Sequence, residues 1–243
     1  MVQFISVFKK KLLKSSQILS NILSRPKKYI YLTFDDGPLP GTQETFNLCS
    51  NLRVKASYFM VGCHNQTSQT NNLIKSIIAN SNNFIVGNHS FSHADEKYKI
   101  FYQNPIAALD DFEKSQNSLC LDLKLARLPG YSAWSNNDLF KGPLTIRPLS
   151  QLLIKKGYSI YGWDIEWKFN QSALKLQEND LDFRYKIIKM LYLLKTNKKN
   201  HIVVLLHDIS FRHNDNLLDL KALLLYFRKS SKYVFETIDK YPL

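Results

Sequence analysis

The stretch YLTFDDGP at residues 31–38 places two adjacent carboxylates, Asp35 and Asp36, at the end of an apolar segment. Neighbouring side chains on a β-strand point to opposite faces, so both carboxylates can serve one site only if the strand ends there and the backbone turns. Gly37 and Pro38, which follow directly, favour such a turn. Because Asp and Gly also favour ordinary surface turns, the stretch alone would indicate a simple hairpin. Similar polar clusters at the ends of other apolar segments favour a functional site instead.

Strand-like and helix-like segments alternate from residue 29 onward, without an internal repeat or a long linker. The strand-like segments, several of them rich in β-branched or aromatic residues, are 29–34, 56–62, 83–88, 123–128, 158–163, 201–206 and 233–237. Leucine and isoleucine recur at helical spacing in 43–52, 70–80, 105–119, 181–196 and 215–229. This alternation predicts a parallel sheet with crossover helices, and the number of repeats suits a barrel better than an open sheet.

Ionisable residues recur where the predicted strands end. The set is Asp35 and Asp36 after the first strand, His89 and His93 after the third, Arg127 at the end of the fourth, Asp164 and Glu166 after the fifth, and His207 after the sixth. Barrel enzymes build their sites at the carboxyl ends of the strands. Scattered surface residues would not follow strand polarity so consistently, so we expect these side chains to meet at one rim.

Two histidines, His89 and His93, stand four residues apart, a spacing that on one helical turn would aim both imidazoles at one point. Such a pair is usually incidental. Joined to a carboxylate at the same rim, it predicts a divalent metal site with open positions for water and substrate. One of the two adjacent aspartates can then bind the metal while the other accepts a proton from water.

Two further rim residues have both a functional and a structural interpretation. His207 can donate a proton to a leaving group from the opposite side, or it can be a buried histidine satisfied by the backbone at a strand end. Arg127 near a carboxylate can orient that group and lower its pKa, although an arginine at a strand end is more often part of a surface ion pair.

The composition excludes a disordered chain and argues against a nucleic-acid-binding protein. Hydrophobic residues make up 44% and aromatic residues 13% of the chain, as in folded globular proteins. The formal net charge of +13 would favour polyanions, but the lysines are spread along the chain, so we expect no nucleic-acid partner. Cys49, Cys63 and Cys120 lack metal-type spacing and are interpreted as structural thiols.

Residues 1–28 form a basic amphipathic segment that is distinct from the predicted domain at 29–243. It contains no uncharged apolar stretch long enough to span a membrane and no clear signal peptide. We expect a helix that packs on the domain or makes a peripheral contact with an anionic membrane surface, with packing favoured. The expected location is the cytoplasm or the inner face of the membrane.

Five motifs, in order, resemble those of the polysaccharide deacetylases, the NodB homology domain of carbohydrate esterase family 4. TFDDGP at 33–38 and HSFSH at 89–93 are complete matches to the first two motifs. RLPG at 127–130 is similar to the third, with glycine where an aromatic residue is common. WDIEW at 163–167 resembles a shortened fourth motif, and VLLHD at 204–208 resembles the fifth.

The resemblance implies a role for each matching residue. It implies Asp35 as catalytic base, Arg127 as the residue that positions it, His207 as general acid, Asp36, His89 and His93 as metal ligands, Gly130 as an oxyanion donor through its backbone, and Trp167 and Leu205 as parts of the acetyl pocket. Either Asp164 or Glu166 would be the acid that tunes His207. Tyr131, Trp134 and Trp167 can stack on sugar faces, or they can be simple packing.

The resemblance also implies a distorted (β/α)7-8 barrel that hydrolyses the acetamide of an N-acetylhexosamine in a glycan or glycan-bearing lipid and releases acetate. We expect Zn²⁺ as the divalent ion, with Co²⁺, Ni²⁺ and Mn²⁺ as alternatives. The alternative hypothesis is a catalytically inactive carbohydrate-binding member of the same fold. The complete set of acid, base and ligands argues against it.

Overall fold

The structure, a computed structural model, describes residues 26–243. Residues 1–25, which carry most of the predicted amphipathic segment and its membrane contact, lie outside the described residues. The predicted boundary at residue 28 falls where the first strand begins, at Lys28. From residue 26 to the end of the chain, each helix is too short or too polar to cross a membrane.

A mostly parallel ten-stranded sheet and a separate two-stranded hairpin form the frame of the described chain. In chain order the strands are β1 (Lys28–Asp35), β2 (Ala56–Met60), β3 (Phe84–Asn88), β4 (Leu125–Ala126), β5 (Trp134–Ser135), β6 (Phe140–Lys141), β7 (Ser159–Ile160), β8 (Ile165–Glu166), β9 (Phe169–Asn170), β10 (Lys175–Leu176), β11 (His201–His207) and β12 (Tyr233–Phe235). The hairpin is β9–β10.

Neighbouring strands follow the order β6-β5-β7-β4-β3-β2-β1-β11-β8, and β12 also pairs with β1. β1 runs parallel to β2, β11 and β12, so it lies at the centre of the sheet. Within residues 26–243 the hydrogen-bonded ladder ends at β6 on one side and β8 on the other, which makes the sheet a half-barrel. The predicted distorted barrel with crossover helices is confirmed.

Seven α-helices accompany the strands in the described part of the chain. They are α1 (Thr42–Asn51), α2 (Ser68–Ala79), α3 (Tyr98–Gln103), α4 (Pro105–Ser118), α5 (Arg147–Lys155), α6 (Asp180–Tyr192) and α7 (Asn214–Arg228). Five of them coincide with the predicted helical segments. The sequence pattern missed α3 and α5, because six and nine residues are too few for a helical period to stand out.

The alternation of side chains along β1 divides the molecule into two apolar regions. Ile30, Leu32 and Phe34 belong to the main core, to which the helices α6 and α7 also contribute. Tyr31 belongs to a smaller cluster on the other, inner face of the sheet. Asp35 shares that inner face, because residues at even spacing on a strand point the same way. The inner face therefore changes from apolar to polar towards the carboxyl end of β1, where the candidate site lies.

Candidate active site

Asp35 and Asp36 reach one cavity, of about 330 Å³, because β1 ends between them. Asp36 has a left-handed backbone with φ 73°, which turns its side chain relative to the strand. The carbonyl oxygen of Asp36 accepts a hydrogen bond from His64 Nδ1 at 2.7 Å. The carbonyl oxygen of Gly37 accepts one from the Val61 N–H, also at 2.7 Å. The turn predicted after the double aspartate is therefore present and is held by the segment that follows β2.

The Asp35 carboxylate is held by Arg127, whose side chain is fully buried. Nη1 of Arg127 donates to Asp35 Oδ1 at 2.7 Å and to the Thr33 hydroxyl at 2.7 Å. Its other donors bind the carbonyl oxygens of Tyr161 and Gly162. Burial lowers the pKa of Arg127, and the adjacent Asp35 charge opposes that shift. The carboxylate is therefore oriented by a guanidinium that four hydrogen bonds hold in place.

Asp36, His89 and His93 form a cluster whose ligand atoms all lie within 4.8 Å of one another. Nε2 of His89 lies 3.4 Å, and Nε2 of His93 3.2 Å, from Asp36 Oδ1. That oxygen is buried and has no hydrogen-bond partner among residues 26–243. Although burial acts against it, the neighbouring His89 holds the pKa of Asp36 well below its usual range. A buried, ionised oxygen facing two imidazole nitrogens fits a divalent cation.

The two histidines converge through an irregular loop and not through the helical turn that their spacing suggested. His89 follows β3, and its Nδ1 donates to the Arg127 carbonyl oxygen at 2.9 Å, which leaves Nε2 free to act as a ligand. Ser90 and His93 have left-handed φ angles of 68° and 53°. The chain turns back between them, so the 17% exposed His93 side chain approaches Asp36 from nearer the solvent than the 4% exposed His89.

His207 is the register partner of Asp35, because β1 and β11 are neighbouring parallel strands. On the other side of β11, Leu205 pairs with Glu166 of β8. These three residues of β11 and β8, Leu205, Glu166 and His207, all line the cavity. Nδ1 of His207 is buried without a hydrogen-bond partner in the described chain, and the Phe169 ring lies 5.5 Å from the imidazole.

The two candidates for an acid that tunes His207 occupy different places. The oxygens of Asp164 accept the N–H groups of Asn197 at 2.6 Å and of Val203 at 2.8 Å. Burial raises the pKa of Asp164, and these backbone contacts oppose the shift. Glu166 lines the cavity and Asp164 does not. The structure thus corrects the prediction for Asp164, which holds the backbone around β11, while a catalytic role for Glu166 stays a prediction.

Both tryptophans predicted to contact substrate, Trp134 and Trp167, are packed in apolar clusters away from the cavity. Trp134 is 3% exposed in the inner cluster, and Trp167 is fully buried in the main core, stacked on Phe183. The strand period explains the correction for Trp167: Glu166 faces the cavity, so the next residue faces the opposite side. A third tryptophan, Trp163, lines the cavity.

Gly130 and Leu205, also predicted to contact substrate, do line the cavity. Gly130 has φ 73°, and a Cβ atom there would lie 3.1 Å from the Tyr98 ring, so both backbone and space favour glycine. Tyr131 does not line the cavity; it packs edge-on against Tyr102.

Several cavity residues carry no motif signal. They are Glu96, Tyr98, Lys168, Phe169, Gln171 and Gln177. Most of them belong to two short segments, the turn before α3 and the chain around the β9–β10 hairpin. For the second segment, the polar and aromatic residues KFNQ at 168–171, directly after the fourth motif, could have indicated a cavity wall.

Asp208, the last residue of the fifth motif, is fully buried. Its two oxygens accept hydrogen bonds from the hydroxyls of Thr42 at 2.7 Å and Thr45 at 3.2 Å, which tie the end of β11 to α1. Burial, opposed by these hydroxyls and assisted by the charges of Asp36 and Asp35, raises the pKa of Asp208 to about 8.

Comparison with known proteins agrees with this geometry. Residues 23–120 match the family model described as polysaccharide deacetylase. The chain is 25% identical over 229 residues to the peptidoglycan-N-acetylglucosamine deacetylase of Bacillus cereus, covering 89% of this chain and 71% of that protein. The YheN protein of Bacillus subtilis is 28% identical over 155 residues, which cover 60% of this chain and about half (48%) of YheN.

The fold matches that of the polysaccharide deacetylase Bc1974 from Bacillus cereus, with a TM-score of 0.62 at 24% identity over 88% of this chain and 93% of that one. Over residues 23–120 the chain is thus similar in sequence to polysaccharide deacetylases, and its half-barrel is the fold of the polysaccharide deacetylase Bc1974.

Proposed function

We propose that this protein is a metal-dependent hydrolase that removes acetyl groups from N-acetylhexosamine residues of a glycan or glycan-bearing lipid and releases acetate. The observation that carries the proposal is the buried Asp36 Oδ1, which has no hydrogen-bond partner among residues 26–243 and faces Nε2 of His89 and His93. Beside it stands the Asp35 carboxylate held by Arg127. The named substrate of the Bacillus cereus relative, a peptidoglycan N-acetylglucosamine, supports the substrate class.

Asp36, His89 and His93 would hold the cation, and two imidazoles with one carboxylate suit Zn²⁺, with Co²⁺, Ni²⁺ and Mn²⁺ as alternatives. When bound, the ion supplies Lewis acidity towards the acetyl carbonyl and lowers the pKa of a water molecule.

Asp35 and His207 move the protons in this mechanism. Oδ1 of Asp35 is engaged by Arg127, so Oδ2 is the oxygen that accepts a proton from the attacking water. Water oxygen then bonds to the acetyl carbon, and the carbon–nitrogen bond breaks as His207 donates a proton to the departing amine. The pairing of His207 with Asp35 on the neighbouring parallel strand, and its position at the cavity wall, support this role.

The walls of the cavity suit a single sugar residue. Leu205 offers an apolar contact for the acetyl methyl group, and Trp163 and Tyr98 offer aromatic faces at the cavity wall. A volume of about 330 Å³ is at the small end for ligand sites, so the remainder of a glycan would lie outside.

The test is acetate release from an oligomer of N-acetylglucosamine. Treatment with a chelator should abolish release and a divalent ion should restore it. Asp35→Asn should lower kcat by about 10²–10⁴-fold with an unchanged circular dichroism spectrum, while Asp110→Asn, at an exposed position on α4, should be neutral. Full acetate release by the chelated protein or by Asp35→Asn would refute the mechanism, and no release by the metal-loaded wild type would favour the inactive carbohydrate-binding alternative.

A further inference from the structure

Glu96 makes a contact that none of the five motifs contains. Its Oε1 lies 2.5 Å from His93 Nδ1, and its Oε2 accepts a hydrogen bond from the Tyr98 hydroxyl at 2.7 Å. The Tyr98 ring in turn stands edge-on to the His93 ring, with centroids 5.8 Å apart and planes at 89°. Carboxylate, phenol and imidazole therefore fix one another at the outer edge of the cavity.

We propose that Glu96 is a positioning residue of the cation site, which holds His93 in the tautomer and orientation that direct Nε2 at Asp36. The inference rests on the proposed function only in so far as Asp36, His89 and His93 hold a cation. It concerns the ligand geometry and not the hydrolytic step.

The chemistry of imidazole gives the reason. A neutral histidine carries one ring proton, and a carboxylate beside Nδ1 keeps that proton there, which leaves the Nε2 lone pair for a ligand. His89 obtains the same tautomer in another way, because its Nδ1 donates to the buried Arg127 carbonyl oxygen. His93 has no backbone acceptor at Nδ1 in the described chain, so Glu96 supplies the equivalent contact.

The local backbone supports a specific role for this contact. His93, Ala94, Asp95 and Glu96 have φ angles of 53°, 58°, 47° and 56°, four left-handed residues in succession without a glycine. Left-handed geometry costs about 1–2 kcal/mol for each such residue. A turn of this kind persists only where its surroundings impose it, and it brings the Glu96 carboxylate back over His93.

Two measurements on the full chain test the proposal, and neither uses acetate release. The first is the dissociation constant for Zn²⁺ by calorimetry. Glu96→Ala should weaken binding about 10–100-fold. Asp95→Ala is the matched control, since it removes an exposed carboxylate from the same turn without touching His93, and it should leave the dissociation constant unchanged.

The second measurement is the His93 tautomer in the metal-free protein, from nitrogen–proton correlation spectra at about pH 8, where an ordinary histidine is neutral. The wild type and Asp95→Ala should show the Nδ1–H form, and Glu96→Ala a mixture. Glu96→Gln keeps an acceptor oxygen, so it should keep the Nδ1–H form and lose less affinity than Glu96→Ala. Tyr98→Phe, which removes only the clamping hydroxyl, should shift both readouts in the same direction by a smaller amount.

An unchanged dissociation constant in Glu96→Ala would overturn the proposal. So would a loss of affinity with the tautomer unchanged, because Glu96 would then act as a direct ligand or through its charge alone. If wild type binds Zn²⁺ with the expected tautomer but releases no acetate, the proposed function fails and the role of Glu96 stands.

Discussion

The inner half of the site, built around Asp35, His89 and Arg127, contrasts with the outer half, built around His93, Glu96 and Tyr98. Inner side chains are 4% exposed or less and are held by backbone carbonyls and strand register. Outer side chains hold one another in an exposed, left-handed turn, where Glu96 is 72% exposed. The difference teaches that the sheet fixes the proposed catalytic groups, whereas local side-chain contacts orient His93, the outermost of the proposed metal ligands.

The largest expected effect lies in the inner half. Arg127→Met leaves Asp35 as a buried charge without its partner, so the free energy of unfolding should fall by about 3–5 kcal/mol. The double variant Arg127→Met/Asp35→Asn should recover part of that loss in urea denaturation. Glu96→Ala in the outer half should change stability by less than about 1 kcal/mol. Equal losses for Arg127→Met and Glu96→Ala would break the contrast between the two halves.

The two tryptophans of the fourth motif should respond in opposite ways. Trp167→Ala opens the main core and should cost about 3–5 kcal/mol of stability, because the ring is fully buried against Phe183. Trp163→Ala, at the cavity wall, should instead raise KM for the glycan with a smaller loss of stability. Denaturation curves and steady-state kinetics of both variants decide this, and a KM effect confined to Trp167→Ala would reverse the assignment.

A smaller effect should appear as a dependence of stability on pH. The pKa of Asp208 is raised by burial to about 8 from an ordinary value of 3.8, so between these values the folded chain binds more protons than the unfolded chain. Stability from this group is complete below about pH 4 and is lost as pH rises through about 8.

Asp208→Asn should therefore flatten the decline of stability between about pH 5 and 8 in chelator-containing buffer. Asp110→Asn, at an exposed position, should keep the wild-type slope. An unchanged slope in Asp208→Asn would show that the raised pKa of Asp208 does not cause the decline of stability with pH.

The smallest effect should come from relief of backbone strain in the left-handed turn at residues 93–96. Asp95→Gly replaces an exposed left-handed residue with one that adopts this geometry freely, so stability should rise by about 0.5–1 kcal/mol after the larger entropy of the unfolded chain is counted. Asp110→Gly in helix α4 should lower stability by a similar amount. Thermal unfolding of both variants provides the measurement, and a loss of stability in Asp95→Gly would mean that the turn is not strained.

Sequence patterns predicted the inner half well, because it depends on strand polarity and on residue types with few alternatives. The continuous apolar runs of β1, β2 and β3 and the polar residues that follow them were sufficient to place Asp35, Asp36 and His89 at one rim. The expected contact between Arg127 and a carboxylate is likewise present.

The outer half was not predictable in the same way. Nothing in the letters HADE at 93–96 signals four left-handed residues, because such turns usually carry glycine. Trp167 was assigned to substrate by its motif, although strand alternation beside Glu166 would have placed it in the core. For Asp164, the deciding contacts are backbone N–H groups of residues distant in sequence, which no spacing reveals.

The edge position of β8 has a consequence for how this protein can change over evolutionary time. Segment 168–177, which follows this two-residue strand and contains the β9–β10 hairpin, contributes Lys168, Phe169, Gln171 and Gln177 to one wall of the cavity, while the pairings of β1 with β2 and β11 lie elsewhere in the sheet. Insertions or replacements there can alter which sugar is accepted without shifting the groups proposed to transfer protons. Diversity among homologues should therefore concentrate in this segment, with the proposed catalytic residues kept.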